Sequence, residues 1–312
     1  FIEYVRLSFD PILQLSEQFA QIQTAFSAGE RIARMLDVNP EVAEPENAKH
    51  ISDFKHSVVF KNVSFSYKEG YPVLRNINLE IQPGQRIAVV GATGAGKTSL
   101  VKLLARYYDV DSGSIEVSGV DLRELSIHDL RRFVSLVPQD PYCFNGTIGD
   151  NLRLFDESIT LEQMEEASEI ACAKPFIDKM PNRFDFKLLP GGRNLSQGQR
   201  QLLALARALV HSPESILILD EATSSIDTET EAYIQEGLEQ ILANRTSLII
   251  AHRLSTVRDA DRILVMQEGE IIEDGSHDDL LALGGMYARL YYRQYTDPDA
   301  SLDELLEQSA KA

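Results

Sequence analysis

The feature that most restricts the fold of this chain is a glycine-rich segment, Gly91–Thr98, with the pattern G-x-x-x-x-G-K-[ST]. It follows an apolar run at Ile87–Val90, typical of a buried strand, and precedes a helical stretch at Ser99–Arg106. Glycines let the backbone curl so that successive N–H groups point inward, and the helix N-terminus adds partial positive charge. In this strand–loop–helix context, the pattern predicts a phosphate-binding loop.

The same segment predicts the groups that touch a bound nucleotide. We expect the Lys97 ammonium to reach the β- and γ-phosphates, and the Thr98 hydroxyl to bind Mg²⁺. The other nucleotide contacts predicted in and beside the loop are Gly91, Thr93, Gly94, Ala95, Gly96 and Ser99.

A second chemical signal is an acidic pair, Asp220 and Glu221, at the end of the apolar run Ile216–Leu219. Consecutive strand residues point to opposite sides, so one carboxylate can address a metal ion while the next faces an attacking water. We assign Asp220 to Mg²⁺ and Glu221 to the water. The alternative is an acidic pair that is simply solvated at a strand end.

A third signal is Leu195–Gln199, which begins an amphipathic helical stretch. Ser196 and Gln199 have the S-x-x-Q spacing of a capping box, which predicts a well-capped helix. A functional role is compatible with this structural one, because a serine-capped helix N-terminus also attracts anions.

Two kinds of strand pattern predict a mixed α/β architecture. Apolar alternation at Val59–Tyr67 and Ile77–Ile81 is typical of half-buried strands. Short continuous apolar runs, by contrast, indicate a parallel sheet covered on both faces by helices. These runs, and the helical stretches between them, are Ile87–Val90, Gln199–Val210, Ile216–Leu219, Thr228–Leu242 and Leu248–Ala251.

The N-terminal part of the chain differs from the rest. Apolar residues at spacings of three and four, from Ile12 to Leu36, form a heptad stripe that predicts a long helix within residues 1–38, which Pro11 can start or kink. That helix either packs on its own domain or continues from an upstream region. Residues 39–55, rich in Pro, Glu, Asn and Asp, predict a linker, and residues 296–312 an acidic tail.

Composition narrows the range of functions. The net charge of −18, from 30 basic and 48 acidic residues, repels phosphate backbones, so we expect no nucleic-acid partner. Two cysteines, Cys143 and Cys172, can form neither a disulfide framework nor a zinc cluster, and we expect reduced thiols. The chain begins with Phe1 and has no bilayer-spanning apolar run, and we expect it to be a fragment of a longer polypeptide.

Together these motifs resemble the nucleotide-binding domains of ATP-binding cassette (ABC) transporters, over residues 58–295. Gly91–Thr98 is similar to the Walker A motif, Ile216–Glu221 to Walker B with its catalytic glutamate, and Leu195–Gln199 to the family signature. Four further elements stand in the family's order: the aromatic residue Tyr67, the Q-loop glutamine Gln139, the D-loop Ser224–Asp227 and the switch histidine His252.

The resemblance implies a fold and a domain layout. The fold is a P-loop NTPase of ABC type, with a mixed sheet core, an antiparallel β part and a helical subdomain at about residues 140–210. The ATPase domain would span residues 56–295, after the long N-terminal helix.

The resemblance also implies a role for each site residue. ATP would stack on Tyr67, and Gln139 would contact Mg²⁺. His252 would bond the γ-phosphate and hold the water that Glu221 activates, so that Glu221, His252 and Lys97 form the catalytic set. The signature residues would contact ATP held by a second ABC ATPase domain, and they are Ser196, Gly198 and Gln199.

The segment Ala25–Ile32 resembles the stretch that joins the last transmembrane helix of an ABC exporter to its ATPase domain. This implies a transmembrane domain in the same polypeptide and a position at the cytoplasmic face of a membrane. The implied function is ATP hydrolysis that drives substrate export through ATP-dependent dimerisation.

Two positions depart from the family pattern. Gln197 stands where the signature usually has glycine, and Leu189–Arg193 lacks the glutamate common in that loop of exporters. Because the chain's own Walker A motif, Glu221 and His252 are intact, this combination favours a paralogous partner domain over an identical chain.

Two other functions stay open at this point. A soluble ABC ATPase that remodels nucleic acid or ribosomes is opposed by the exporter-like N-terminal segment and the negative charge. A non-enzymatic, ATP-gated dimerisation module is opposed by Glu221 and His252.

Overall fold

The computed structural model describes residues 2–38, 40, 42–51, 54–55, 57–220, 228–243, 245–251 and 254–296. The chain divides into two compact units, Phe1–Ala43 and Glu44–Ala312. The first is built on one long helix, and the second contains the sheets.

Helix α1 (Ile2–Leu36) forms the N-terminal unit and continues through Pro11. All of its described side chains are exposed, so the described part of the apolar stripe is not buried. The exposed apolar residues of the stripe include Leu15, Phe19, Ile22 and Phe26. Among the described helices, none has the length and apolarity to cross a bilayer.

The second unit alternates strands and helices along the chain. The strands are β1 (Val58–Ser66), β2 (Pro72–Ile81), β3 (Arg86–Gly91), β4 (Ser112–Val117), β5 (Val120–Asp121), β6 (Val134–Val137), β7 (Gly146–Thr147), β8 (Lys187–Leu188), β9 (Ile216–Asp220), β10 (Ser247–Ile250), β11 (Arg262–Gln267) and β12 (Glu270–Gly275). The helices are α2 (Lys97–Leu104), α3 (Ile127–Phe133), α4 (Ile148–Arg153), α5 (Leu161–Ile170), α6 (Lys174–Lys179), α7 (Gln197–His211), α8 (Thr228–Leu242), α9 (Leu254–Arg258), α10 (His277–Leu283) and α11 (Met286–Thr296). Short 3-10 turns lie at Arg183–Asp185 and Pro190–Gly192.

The central sheet carries the predicted motifs. Its strand order is β12-β11-β3-β10-β9-β6, and β12 alone runs antiparallel to its neighbour among these described strands. A second, antiparallel sheet has the order β2-β1-β4-β5, and β7 pairs with β8. The mixed sheet core and the antiparallel part of the predicted fold class are both present.

The central sheet is buried on both faces, which explains its uninterrupted apolar strands. Along β3, Ala88 and Val90 face a core shared with the helices α4, α5, α7 and α8. Ile87 and Val89 face the opposite core, which the antiparallel sheet and α2 complete. The sheet therefore sits between a helical layer and a β layer, and its strand ends are fixed on both sides.

Two described residues of the segment predicted as a linker, residues 39–55, are bonded to distant parts of the chain. Lys49 forms an isolated parallel bridge with Leu125, and its N–H donates to the Glu124 carbonyl at 2.8 Å. The Glu44 carboxylate accepts the N–H of Ile127 at 3.0 Å, at the start of α3. These bonds hold Glu44 and Lys49 within the second unit, which begins at Glu44. Pro and Asn content alone does not reveal such pairing.

Candidate nucleotide-binding site

The predicted phosphate loop joins the end of β3 at Gly91 to the start of α2 at Lys97. Gly94 and Gly96 have φ angles of +84° and +103°, which side chains with a Cβ rarely adopt. A Cβ on Gly91 would lie 2.4 Å from the Met266 carbonyl oxygen, in β11. The loop therefore requires glycine at three positions. Gly94 is required for its backbone conformation, Gly91 for close packing, and Gly96 for both.

The Lys97 ammonium lies against the backbone of its own loop. The side chain is 8% exposed, and Nζ donates to the carbonyl oxygen of Gly91 and, at 3.3 Å, to that of Ala92. These bonds hold a positive charge beside the N-terminus of α2, where the helix dipole also favours anions. The local field is therefore suited to phosphate.

A cleft of about 520 Å³ opens over this loop. It brings together residues that are far apart in the chain, from the segments that follow β1 and β6, from β2, from the loop and from the end of β9. Its lining residues are Tyr67, Val73, Ala92, Thr93, Gly94, Ala95, Gly96, Lys97, Thr98, Ser99, Gln139 and Asp220. Of the predicted nucleotide and metal contacts that the structure describes, four do not line this cleft: Gly91, Ser196, Gly198 and Gln199.

The parallel strands explain why these residues meet. Asp220 ends β9, and Gln139 follows β6 by two residues. Strand β10 lies between β3 and β9 and ends at Ile250, two residues before His252 in the sequence. Carboxyl ends of parallel strands meet at one edge of a sheet, where ligands of α/β folds bind. Glu221, His252 and the predicted D-loop at Ser224–Asp227 lie outside the described residues.

Tyr67 stands at the rim of the cleft with its ring held in place. Its hydroxyl lies 3.1 Å from Ser99 Oγ, and the ring makes edge contacts with Phe65 and Tyr108 at centroid distances of 4.9 and 5.1 Å. The Lys102 ammonium lies 6.0 Å from the ring centroid. Since 45% of Tyr67 remains exposed, the ring can stack on a planar base.

Sequence reasoning missed Val73, Tyr108 and Lys102 around this rim. Val73 is an apolar residue of β2, and nothing in its pattern distinguishes it from other strand residues. Tyr108 and Lys102 reach the site through contacts with Tyr67 that link distant parts of the chain.

Oxygen ligands suited to Mg²⁺ line the cleft. The Thr98 hydroxyl, the Gln139 amide oxygen and the Asp220 carboxylate are hard donors, which Mg²⁺ prefers. Within the described residues, no group of three or more His, Cys, Asp and Glu side chains could hold a metal. These donors thus fit an ion that is coordinated by one carboxylate and by the phosphates of a substrate.

The predicted capping box at the start of α7 is present. Ser196 Oγ accepts the N–H of Gln199 at 3.2 Å, and the Gln199 side chain accepts the N–H of Ser196 at 3.0 Å. Ser196 is exposed and Gly198 is buried. The Ser196 hydroxyl is thus presented on the surface, away from the chain's own phosphate loop.

The two thiols take no part in this chemistry. Cys143 and Cys172 are both free and buried. Burial raises the pKa of both thiols, so the nucleophilic thiolate is disfavoured.

Comparisons with known proteins agree with this geometry. A family model described as ABC transporter matches residues 74–224. The chain is 41% identical over 294 residues to an ATP-dependent lipid A-core flippase of Desulfotalea psychrophila, covering 94% of this chain and 51% of the relative. It is 41% identical over 290 residues to a fatty acid ABC transporter ATP-binding/permease protein of Mycobacterium bovis, covering 93% and 46%.

A solved structure of a bacterial Atm1-family ABC exporter with ATP bound resembles this chain with a TM-score of 0.79. The sequence identity is 37%, and the match covers 88% of this chain and 48% of that chain. The chain therefore spans about half the length of the relatives it matches.

The phosphate loop, the acidic strand end and the serine-capped helix on this sheet define an ABC-type ATP-binding domain. Residues 74–224 match the ABC transporter family model, and the proteins that the chain resembles are exporters and ATP-binding/permease proteins. The predicted fold class is confirmed, and domains of this class are ATPases coupled to transport. The matches support the exporter prediction over that of a soluble ABC ATPase acting on nucleic acid or ribosomes.

Proposed function

We propose that this chain binds Mg-ATP in the cleft over the phosphate loop and hydrolyses it to drive substrate export. The observation that carries the proposal is the convergence of Tyr67, the loop, Gln139 and Asp220 on one cleft. The chain is joined to a transmembrane domain in the same polypeptide and works at the cytoplasmic face of a membrane, and the likeness to ATP-binding/permease proteins supports this part of the proposal.

The chain's own groups bind and orient the nucleotide. Tyr67 stacks on the base, and the loop N–H groups and Lys97 hold the β- and γ-phosphates. Mg²⁺ would be held by Thr98, Gln139 and Asp220, and would supply positive charge at the phosphate oxygens.

Glu221 and His252 act on the attacking water. Glu221 accepts the water's proton, and His252 bonds the γ-phosphate and keeps the water in line. The γ-phosphoryl group passes to that water as its bond to the β-phosphate oxygen breaks and ADP leaves. Catalysis is mainly positioning and electrostatic stabilisation.

The active site is completed by a second ABC ATPase domain. Ser196, Gly198 and Gln199 lie away from this chain's own cleft, so they serve a nucleotide held by the partner. Gln197 at the first position of α7 adds a side chain where glycine is usual, and this favours a paralogous partner. An identical partner requires the Gln197 side chain to point away from the nucleotide.

Phosphate release by the chain with Mg-ATP tests the proposal. We expect Lys97→Ala to weaken ATP binding and abolish hydrolysis, because no neutral side chain replaces an ammonium bonded to phosphate. The control is Lys187→Ala, which removes an exposed lysine of β8 remote from the cleft. DNA and RNA should neither bind nor stimulate turnover. A folded Lys97→Ala variant with the wild-type rate would overturn the assignment of the loop.

A further inference from the structure

The segment after Gln139 lacks regular secondary structure, yet its backbone is firmly held. Residues 141–144 belong to no helix or strand. The fully buried side chain of Asn151, in α4, bonds to this backbone as a neighbouring strand would. Its Oδ1 accepts the N–H of Phe144 at 2.8 Å, and its Nδ2 donates to the Phe144 carbonyl at 3.0 Å. Nδ2 also donates to the Thr147 carbonyl at 2.9 Å.

Arg207 of α7 ties the same segment to the signature helix. Its Nη1 donates to the Tyr142 carbonyl at 3.0 Å, its Nη2 to Asn151 Oδ1 at 3.0 Å and its Nε to the Asn151 carbonyl at 2.9 Å. The guanidinium also lies 5.9 Å from the centroid of the Phe144 ring. The Asn151 amide thereby uses both its donors and both lone pairs, so its geometry is fixed.

This guanidinium is bonded to neutral oxygens. Within the described residues, Arg207 forms no ion pair, and burial lowers its pKa. Arg207 is half-buried, and a charge withdrawn from water without an ionic partner loses hydration that a Coulombic pair would otherwise offset. Packing alone would be served by an apolar side chain of similar volume. Arginine therefore differs from an apolar side chain at this position by its three hydrogen bonds, which fix the Tyr142 carbonyl and Asn151.

The segment also touches the loop before the signature. A Cβ on Gly192 would lie 2.9 Å from Cys143 Cβ and 3.0 Å from its Sγ, so glycine lets the two segments approach. The Arg200 side chain also packs against Gly192, where an added Cβ would lie 3.1 Å from Arg200 Cδ, and its Nη1 donates to the Leu195 carbonyl at 2.9 Å. The segment thus touches the loop before α7 at Gly192 and is bonded to α7 itself through Arg207.

We propose that Arg207 is a positioning residue that makes the segment after Gln139 and helix α7 one rigid body. The proposal rests on the proposed function, in which Gln139 serves the nucleotide of this chain and Ser196 that of the partner. Arg207 acts through the backbone of Tyr142 and the Asn151 amide. The ordering of Gln139 by bound ATP then sets the position of Ser196 at the other site.

A distance measurement tests this coupling directly. Spin labels at Asp140→Cys and Arg193→Cys, both exposed positions, report on the two segments, while Cys143 and Cys172 are buried. We expect one narrow distance distribution with Arg207 present and a broadened distribution in Arg207→Met. The matched control is Arg183→Met, which removes an exposed arginine that pairs with Asp178 and Glu165 in the same helical region.

Kinetics provides the second readout. We expect Arg207→Met to bind ATP with less than about a twofold change in affinity, because the cleft is intact. The kcat should fall by about tenfold to a hundredfold, the range that a misplacement near 1 Å produces. Arg183→Met should retain the wild-type kcat. A narrow distance distribution and an unchanged kcat in folded Arg207→Met would refute the positioning role.

A third variant keeps the proposal testable if Arg207→Met does not fold by circular dichroism. Arg207→Lys retains the charge but lacks the planar fork that reaches Tyr142 and Asn151 together. We expect it to fold, to broaden the distance distribution and to lower kcat; wild-type behaviour in both measurements would overturn the proposal. Failure of the wild-type chain to hydrolyse ATP would instead overturn the proposed function.

Discussion

Gly94 and Gly96 form a matched pair that tests how the phosphate loop is packed. Both have positive φ angles, +84° and +103°, but a Cβ at position 94 meets nothing within 4 Å. At position 96 it would lie 2.7 Å from Leu74 Cδ2 and 3.2 Å from the Val73 carbonyl oxygen. Leu74 is fully buried, so it has little room to yield.

Because of these contacts, the two alanine variants should lose different amounts of folding free energy. Gly94→Ala adds backbone strain of about 1–2 kcal/mol. Gly96→Ala adds similar strain and overpacking of about 1–3 kcal/mol, so its free energy of unfolding should fall by about 2–5 kcal/mol. Because Val73 lines the nucleotide cleft, Gly96→Ala should also weaken ATP binding more than Gly94→Ala.

Urea denaturation followed by circular dichroism measures the first difference, and titration with a fluorescent ATP analogue measures the second. Equal losses of stability in the two variants would refute the steric part of the reasoning, since strain alone would then account for both. A Gly96→Ala chain as stable as wild type would contradict the close approach to β2.

Three further outcomes test the site. Glu221→Gln should bind ATP, lose about 10²–10⁴ in hydrolysis rate and accumulate a closed dimer on size-exclusion chromatography with Mg-ATP; wild-type turnover would show that another residue is the base. Tyr67→Ala should cost about 1–3 kcal/mol of ATP binding. Tyr67→Phe, which loses the hydrogen bond to Ser99, should cost less in the same titration, and equal costs would contradict stacking. Gln197→Gly should raise the hydrolysis rate at the site that this signature completes in the partner domain. No change in that rate would remove the argument for a paralogous partner. Co-purification of identical chains alone would also contradict it.

The elements that the sequence predicts well are those with a strong local hydrophobic pattern. The continuous apolar run at Ile216–Leu219 corresponds to β9, and Thr228–Leu242 is predicted and observed with the same limits. Local patterns suffice here because both faces of β9 are buried and because the apolar face of a helix repeats every three to four residues.

Contacts between distant residues were beyond such reasoning. Asn151 and Arg207 are 56 positions apart and carry no motif, so their pairing appears only in the fold. The docking of Lys49 beside Leu125 was equally invisible, since it depends on main-chain bonds. The cleft residues Tyr67 and Gln139 were placed by resemblance to a family rather than by any periodicity.

The strand order of the central sheet has a consequence for biosynthesis. Strand β3, which leads into the phosphate loop, lies between β10 and β11, both of which are translated much later. Strand β11 ends at Gln267, and at about 5–20 residues per second the ribosome reaches it on the order of ten to thirty seconds after Gly91. During that interval both edges of an apolar strand lack their partners, and such edges readily pair with other chains. The nascent chain is thus most exposed to aggregation before its nucleotide site exists, and ATP can stabilise the domain only after synthesis has passed β11.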